Sequence, residues 1–149
     1  MQLHLEGAED LALPRDRVFQ LLTDSSFIAK SLPDAQETKV IDDSSLEAKM
    51  KIGISFLTTN MNVKMRIVDK VPPQHARLLV DGAGSGSNMK IASDFNLEGD
   101  TATKMKWAAE AEISGVMAGI GSSILKGFAE KKVKEIFEGI KKAMEQASV

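Results

Sequence analysis

The sequence predicts an α+β protein in which a curved, mainly antiparallel sheet of about six or seven strands wraps around one long C-terminal helix. Three observations carry that prediction. From Leu3 to Ile113 the chain runs in short segments whose apolar and polar residues alternate, the period of a half-buried strand. Beyond Gly115 the apolar spacing lengthens to that of a helix and stays so to the end. Between the first two strand-like runs, Leu13-Pro14 and Ser25-Ser26 each precede a short stretch with helical spacing, so two short helices follow the first strand.

Leu3, Leu5, Gly7, Glu9 and Leu11 share one phase and form the first strand. Pro14 has its dihedral preset for a helix start and opens a helix from Arg15 through Leu22. Ser25 and Ser26 are the expected caps of a second helix through Phe27, Ile28 and Ala29. That helix stops before Pro33, because a residue preceding proline avoids helical dihedrals.

Asp42-Asp43-Ser44 reads as a hairpin turn, and the next strand carries Leu46, Ala48, Met50, Ile52 and Ile54 against Glu47, Lys49 and Lys51. Met61, Val63, Met65 and Ile67 repeat the pattern until Pro72-Pro73 ends it. Three more strands follow, on Ala76, Leu78 and Val80, on Met89, Ile91, Ser93, Phe95 and Leu97, and on Met105, Trp107, Ala109, Ala111 and Ile113. In the final helix Ala129, Val133, Ile136, Ile140, Ala143 and Ala147 make one stripe, with most lysines and glutamates off it. The expected first half of that helix, Gly115 to Leu125, is small and apolar where a surface helix carries charge, so something apolar should lie against it.

At 149 residues the chain has room for one domain, spanning 1–149. Its 19 Lys and Arg nearly balance 21 Asp and Glu, which leaves no global field to hold nucleic acid. Cysteine is absent, which excludes disulfides, thiolate nucleophiles and cysteine metal sites and fits a reducing, cytoplasmic address. The longest uncharged stretch, Ile113 to Leu125, falls short of the ~20 residues a bilayer requires. Six lysines give the final helix a modest positive excess, expected to be a solvated face with at most weak, peripheral attraction to anionic lipid.

Chemistry has little to work with. His4 and His75 stand alone in the sequence, no Ser, His and Asp lie in a triad pattern, and no local histidine spacing suits a metal. The run Gly82-Ala83-Gly84-Ser85-Gly86 leads into a strand rather than a helix, so it lacks the N-terminus that a phosphate loop needs. No catalytic residue, cofactor or metal is expected.

Apolar binding is better supplied. Met50, Met61, Met65, Met89 and Met105 all occupy the inward phase of strands, and Met117 lies on the segment that should face them. Methionine adapts to irregular ligands and also fills core gaps, so the pattern leaves both readings open. Gly82, Gly84 and Gly86 continue the inward phase, which means either vacant space or a tight bend with a hairpin. The expected lining is Met50, Met61, Met65, Met89, Phe95, Met105, Trp107, Ile120, Ile124 and Phe128, with Ser93 as a polar contact.

Leu5-Glu6-Gly7, Leu13-Pro14 with Val18 and Leu21, Leu32-Pro33-Asp34-Ala35, Pro72-Pro73, the Gly82 to Gly86 run and Gly119-Ile120-Gly121-Ser122 together resemble the CoxG family of carbon monoxide dehydrogenase subunits. That family belongs to the helix-grip superfamily of START lipid-transfer domains, Bet v1-like proteins and polyketide cyclases. The resemblance covers nearly the whole chain. It implies a helix-grip fold with an apolar cavity between sheet and helix. It also implies an accessory role beside a molybdenum-containing dehydrogenase, in membrane recruitment or in delivery of a hydrophobic electron acceptor such as a quinone. Two other classes of function remain open: a cyclase-like enzyme, which needs an acid or base inside the cavity, and an adaptor whose apolar segment Val116 to Leu125 packs on a partner protein.

Overall fold

The computed structural model describes residues 1–32, 35–54 and 57–147. In chain order the elements are β1 (Gln2–Leu11), α1 (Arg15–Leu22), α2 (Ser25–Ser31), β2 (Ala35–Asp42), β3 (Ser45–Ile54), β4 (Leu57–Val71), β5 (His75–Gly84), β6 (Ser87–Gly99) and β7 (Thr103–Gly115). A 3-10 turn (Val116–Ile120) and the long α3 (Ser122–Ala147) complete them. The seven strands form one antiparallel sheet in the order β1-β7-β6-β5-β4-β3-β2. Strands β2 to β7 are joined as successive hairpins, while β1 returns to pair with β7, Gly7 opposite Trp107. The two helices α1 and α2 carry the chain from one edge of the sheet to the other.

Local chemistry explains most boundaries. Pro14 stands at the head of α1 with φ −59°. Asp24 caps α2, its carboxylate accepting from the Ser26 N–H at 3.0 Å, in place of the expected Ser25 or Ser26. Ser25 is instead buried and ties α2 to the β2–β3 turn: its N–H donates to the Asp43 carbonyl at 3.1 Å and its hydroxyl to that of Asp42. Leu32 ends α2 in an extended conformation, whereas the following Pro33 and Asp34 lie outside the described residues.

Strand β2 is exposed from Gln36 to Asp42, so it has no alternation to betray it. Only the turn after it points to a strand there. The expected continuous helix from Gly115 does not form. Gly115 (φ +84°) and Gly121 (φ +107°) hold conformations closed to other residues, and between them the chain makes a 3-10 turn before α3 starts at Ser122. That turn is pinned to the β5–β6 hairpin, Val116 N–H on the Gly86 carbonyl at 3.1 Å and Met117 N–H on the Ser87 hydroxyl at 3.0 Å.

Helix α3 lies on the concave face of the sheet and closes it at two ends. Phe137, Ile140 and Met144 pack with Val18, Phe19, Leu22 and Phe27 of the short helices and with Leu11, Ile67, Ala76, Leu97 and Met105 of the sheet. At the other end Met117 and Leu125 pack with Leu3, Ile54, Met61, Val63, Val80 and Ile113. The buried stripe therefore runs through Leu125, Phe137, Ile140 and Met144, with Val133, Ile136 and Ala143 partly buried beside it. The side chain of Ala147, expected on the stripe, lies outside the described residues.

Candidate functional site

Between its two closed ends the concave face is open to a different degree. In β3, Met50 and Ile52 are only partly buried, while Ala48 and Ile54 on either side are buried. Met65 is partly buried between Val63 and Ile67, and Leu78 between Ala76 and Val80. In β6 the same holds for Met89, Ile91 and Phe95, and in β7 for Trp107, Ala109 and Ala111 between Met105 and Ile113. These positions all point inward, and in β6 the buried Ser93 stands among them, between Ile91 and Phe95. On the helix side Ile120, Phe128 and Val133 are likewise partly buried.

Of the expected lining, Met50, Met61, Met65, Met89, Ile120 and Phe128 gather in the cluster with Met117, whereas Phe95, Met105 and Trp107 belong to the cluster at the C-terminal end of α3. The methionines thus divide between two clusters. Met61 and Met105 are fully buried and serve as core. Ile124 departs from expectation: it is 51% exposed, and Leu125 takes the inward position. Because α3 starts at Ser122 rather than Gly115, its phase is set by Gly121 and not by the apolar residues before it. Ser93 is buried in the middle of β6 on the inward phase.

The inward glycines supply little space. A Cβ on Gly82 would lie 3.2 Å and 3.3 Å from the terminal methyls of Met89 and Met61, so methionine has filled that gap. At Gly84 a Cβ would stand 2.1 Å from the Asn60 carbonyl oxygen, a close approach of backbone. Ser85 and Gly86, both at positive φ, make the two-residue turn between β5 and β6.

Trp107 is the side chain that sequence reasoning could not place in detail. Its indole lies over Gly7, where a Cβ would come within 2.9 Å of the ring, and it meets the Phe137 ring at 5.5 Å between centroids, tilted by 41°. Among the described residues its buried Nε1–H finds no acceptor, and the buried Thr59 hydroxyl no partner. Trp107 also walls a cleft of about 400 Å³ between β1 and α3, with Leu5 and Val133 as apolar lining and His4, Glu6, Glu9, Lys126, Glu130 and Lys134 around it. Lys141 of α3 reaches Glu9 of β1 at 2.7 Å beside this cleft.

Catalytic groups do not converge. His4 lies on the exposed face, bonded to Glu110 and, at 3.2 Å, to Glu6; these two carboxylates, Glu110 first, raise its pKa above the ordinary 6.5. His75 bonds Asn96 at 3.2 Å, also on the outer face. Among the described residues no group of three or more His, Cys, Asp or Glu could hold a metal.

A seven-stranded antiparallel sheet curved around a long C-terminal helix defines a START-like, Bet v1-like helix-grip protein. The chain belongs to the CoxG family of carbon monoxide dehydrogenase subunits, whose pattern matches residues 7–145. Among solved structures, a conserved protein from Geobacillus kaustophilus is 25% identical with a TM-score of 0.87, the match covering 97% of each chain. A START superfamily protein from Mycobacterium smegmatis (10% identical, TM-score 0.72) is covered over 98% of its length by 97% of this chain. The Zhui aromatase/cyclase from Streptomyces sp. R1128 (10% identical, TM-score 0.68) is covered over 96% of its length by 99% of this chain. At 10% identity the last two show the fold alone. A search of curated proteins finds no match.

Proposed function

We propose that this protein binds an elongated apolar molecule, a lipid or an isoprenoid quinone, between the sheet and α3, and acts by burial rather than by chemistry. One observation carries the reading: the inward residues Met50, Met65, Leu78, Ile91 and Trp107 are only partly buried, although each has a buried inward neighbour on its own strand, Ala48, Val63, Ala76, Ser93 and Met105. Apolar surface left wet in the middle of a core is stabilised by covering it, at roughly 25 cal/mol per Å². A few hundred Å² of ligand then suffices for micromolar affinity after the costs of association.

Family membership supports the second half of the reading, an accessory or carrier role beside a molybdenum-containing oxidoreductase of the carbon monoxide dehydrogenase type. We place that role in the cytoplasm, with peripheral contact to the membrane that holds such ligands. Among the described residues no helix is long and apolar enough to cross a membrane. Val116 (55% exposed) and Ile124 (51%) are uncovered at the start of α3, and they favour a contact there with a partner surface. A cyclase-like activity has less support: His4, whose pKa is raised by Glu110 and Glu6, lies on the exposed face of the sheet.

Titration with a short-chain naphthoquinone, followed by Trp107 fluorescence against an exposed-tryptophan peptide, tests the reading. Saturable quenching near one equivalent is expected, and Met65→Glu should abolish it. Linear quenching matching the peptide would overturn it.

A further inference from the structure

The convex face of the sheet carries an unbroken row of alternating charge. Cross-strand registers place Lys39 opposite Glu47, Glu47 opposite Lys64, Lys64 opposite Asp81, Asp81 opposite Lys90, and Lys90 opposite Glu112. The row crosses six strands, from β2 to β7, and each opposite-sign pair supports the pairing of its strands. At β2 it ends on a positive charge at an open edge. A parallel short row, Glu37 opposite Lys49 with their charged atoms 3.4 Å apart, ends at the same edge on a negative one.

Among the described residues β2 pairs with β3 alone, so its other side presents an edge of backbone donors and acceptors. Gln36 to Asp42 are exposed throughout, and Val40 (42%) and Ile41 (49%) are two of the few large apolar side chains left uncovered. Register irregularities bound a regular stretch from Glu37 to Val40.

We propose that β2 pairs antiparallel with β2 of a second copy of this chain, about a two-fold axis at Thr38. In that register Glu37 faces Lys39 of the other copy and Lys39 faces its Glu37, so both rows continue their alternation across the junction. Thr38 meets Thr38, and Val40, at the end of the regular stretch, gains cover. A two-fold contact demands self-complementarity of this kind, since each residue meets its partner twice. The interface is one strand deep and lies below about 1,200 Å², so the dimer is weak and depends on concentration. It leaves the concave face and the proposed ligand site untouched.

Sedimentation velocity over a wide concentration range, with amide exchange of β2, tests this. Reversible growth to dimer, accompanied by slowing of the Glu37 to Val40 amides, is expected for the wild type. Lys39→Glu places two like-charge pairs across the axis and should weaken association roughly tenfold. The double variant Glu37→Lys with Lys39→Glu restores opposite charges across the same axis and should recover the dimer. Circular dichroism confirms that each variant is folded. A wild type that stays monomeric throughout, or a folded double variant no better than the single one, would overturn the pairing.

Discussion

His4 shows how two carboxylates decide the behaviour of one side chain. Its ring joins Glu110 of β7 and Glu6 of β1, and both favour the protonated form. The folded pKa therefore lies above 6.5, and by linkage this contribution to stability is complete below 6.5 and fades as pH rises through the elevated value. An NMR titration should find the His4 midpoint above 6.5 and find it lowered by Glu110→Gln. An unshifted midpoint in the wild type would dissolve the pair. Trp107 makes the opposite point: its ring is held by Gly7 and Phe137, yet its N–H finds no acceptor among the described residues.

Strands and turns in this chain depend on where backbones approach. Gly84 lets β5 come up to β4 so closely that any Cβ would overlap the Asn60 carbonyl, and each backbone is held by its other neighbour, Asn60 opposite Lys51 of β3 and Gly84 opposite Ser87 of β6. Gly53 in β3 meets nothing within 4 Å. Gly84→Ala should cost at least about 3 kcal/mol, in the range reserved for structural clashes. Gly53→Ala should stay within about 0.5 kcal/mol of wild type, as ordinary surface substitutions do. Urea denaturation measures both, and equal effects would refute the close approach. At the start of α3 the same logic explains the 3-10 turn, because a Cβ on Gly115 would lie 2.0 Å from the Gly86 carbonyl oxygen.

For the whole molecule, two buried clusters brace α3 against the sheet, with Met50, Met65, Leu78 and Trp107 only partly buried beside them. On the proposed reading, a ligand that covers these residues binds only the folded state. At a hundred times its dissociation constant it adds about 2.7 kcal/mol of stability. In a domain of this size that is a rise in melting temperature of roughly 5–10 °C. Differential scanning calorimetry with a saturating naphthoquinone should show the rise in wild type and not in Met65→Glu. An equal rise in both would move the ligand away from the sheet. The wet apolar residues Val116 and Ile124 lie at the opposite end of α3 from Phe137 and Met144, so any partner they meet approaches the grip from that end.

Alternation alone identifies six of the seven strands, since Leu46 to Ile54 or Met105 to Ile113 carry the period of a sheet with one buried face. Strand β2 escapes because an edge strand with both faces exposed has no pattern to read. Helix α1 is legible from Pro14, while the cap of α2 moves to Asp24 because Ser25 is drawn into tertiary hydrogen bonds with the β2–β3 turn. The candidate lining is legible as an inward phase. Which members are fully buried and which only partly is not, because the burial of Met61 and Met105 against that of Met50 and Met65 depends on neighbours from distant segments, as Gly82 beside Met61 shows. Ile124 and Leu125 exchange roles for a related reason, the phase of α3 being set where Gly121 and the 3-10 turn release it. Sequence by itself determined the class of fold, the face that each of those six strands buries and the absence of cysteine chemistry, since these follow from local period and composition. Tertiary structure decided where the helix begins, which methionines stay wet and which charges meet across the sheet, since these depend on the register and distance between segments far apart in the chain.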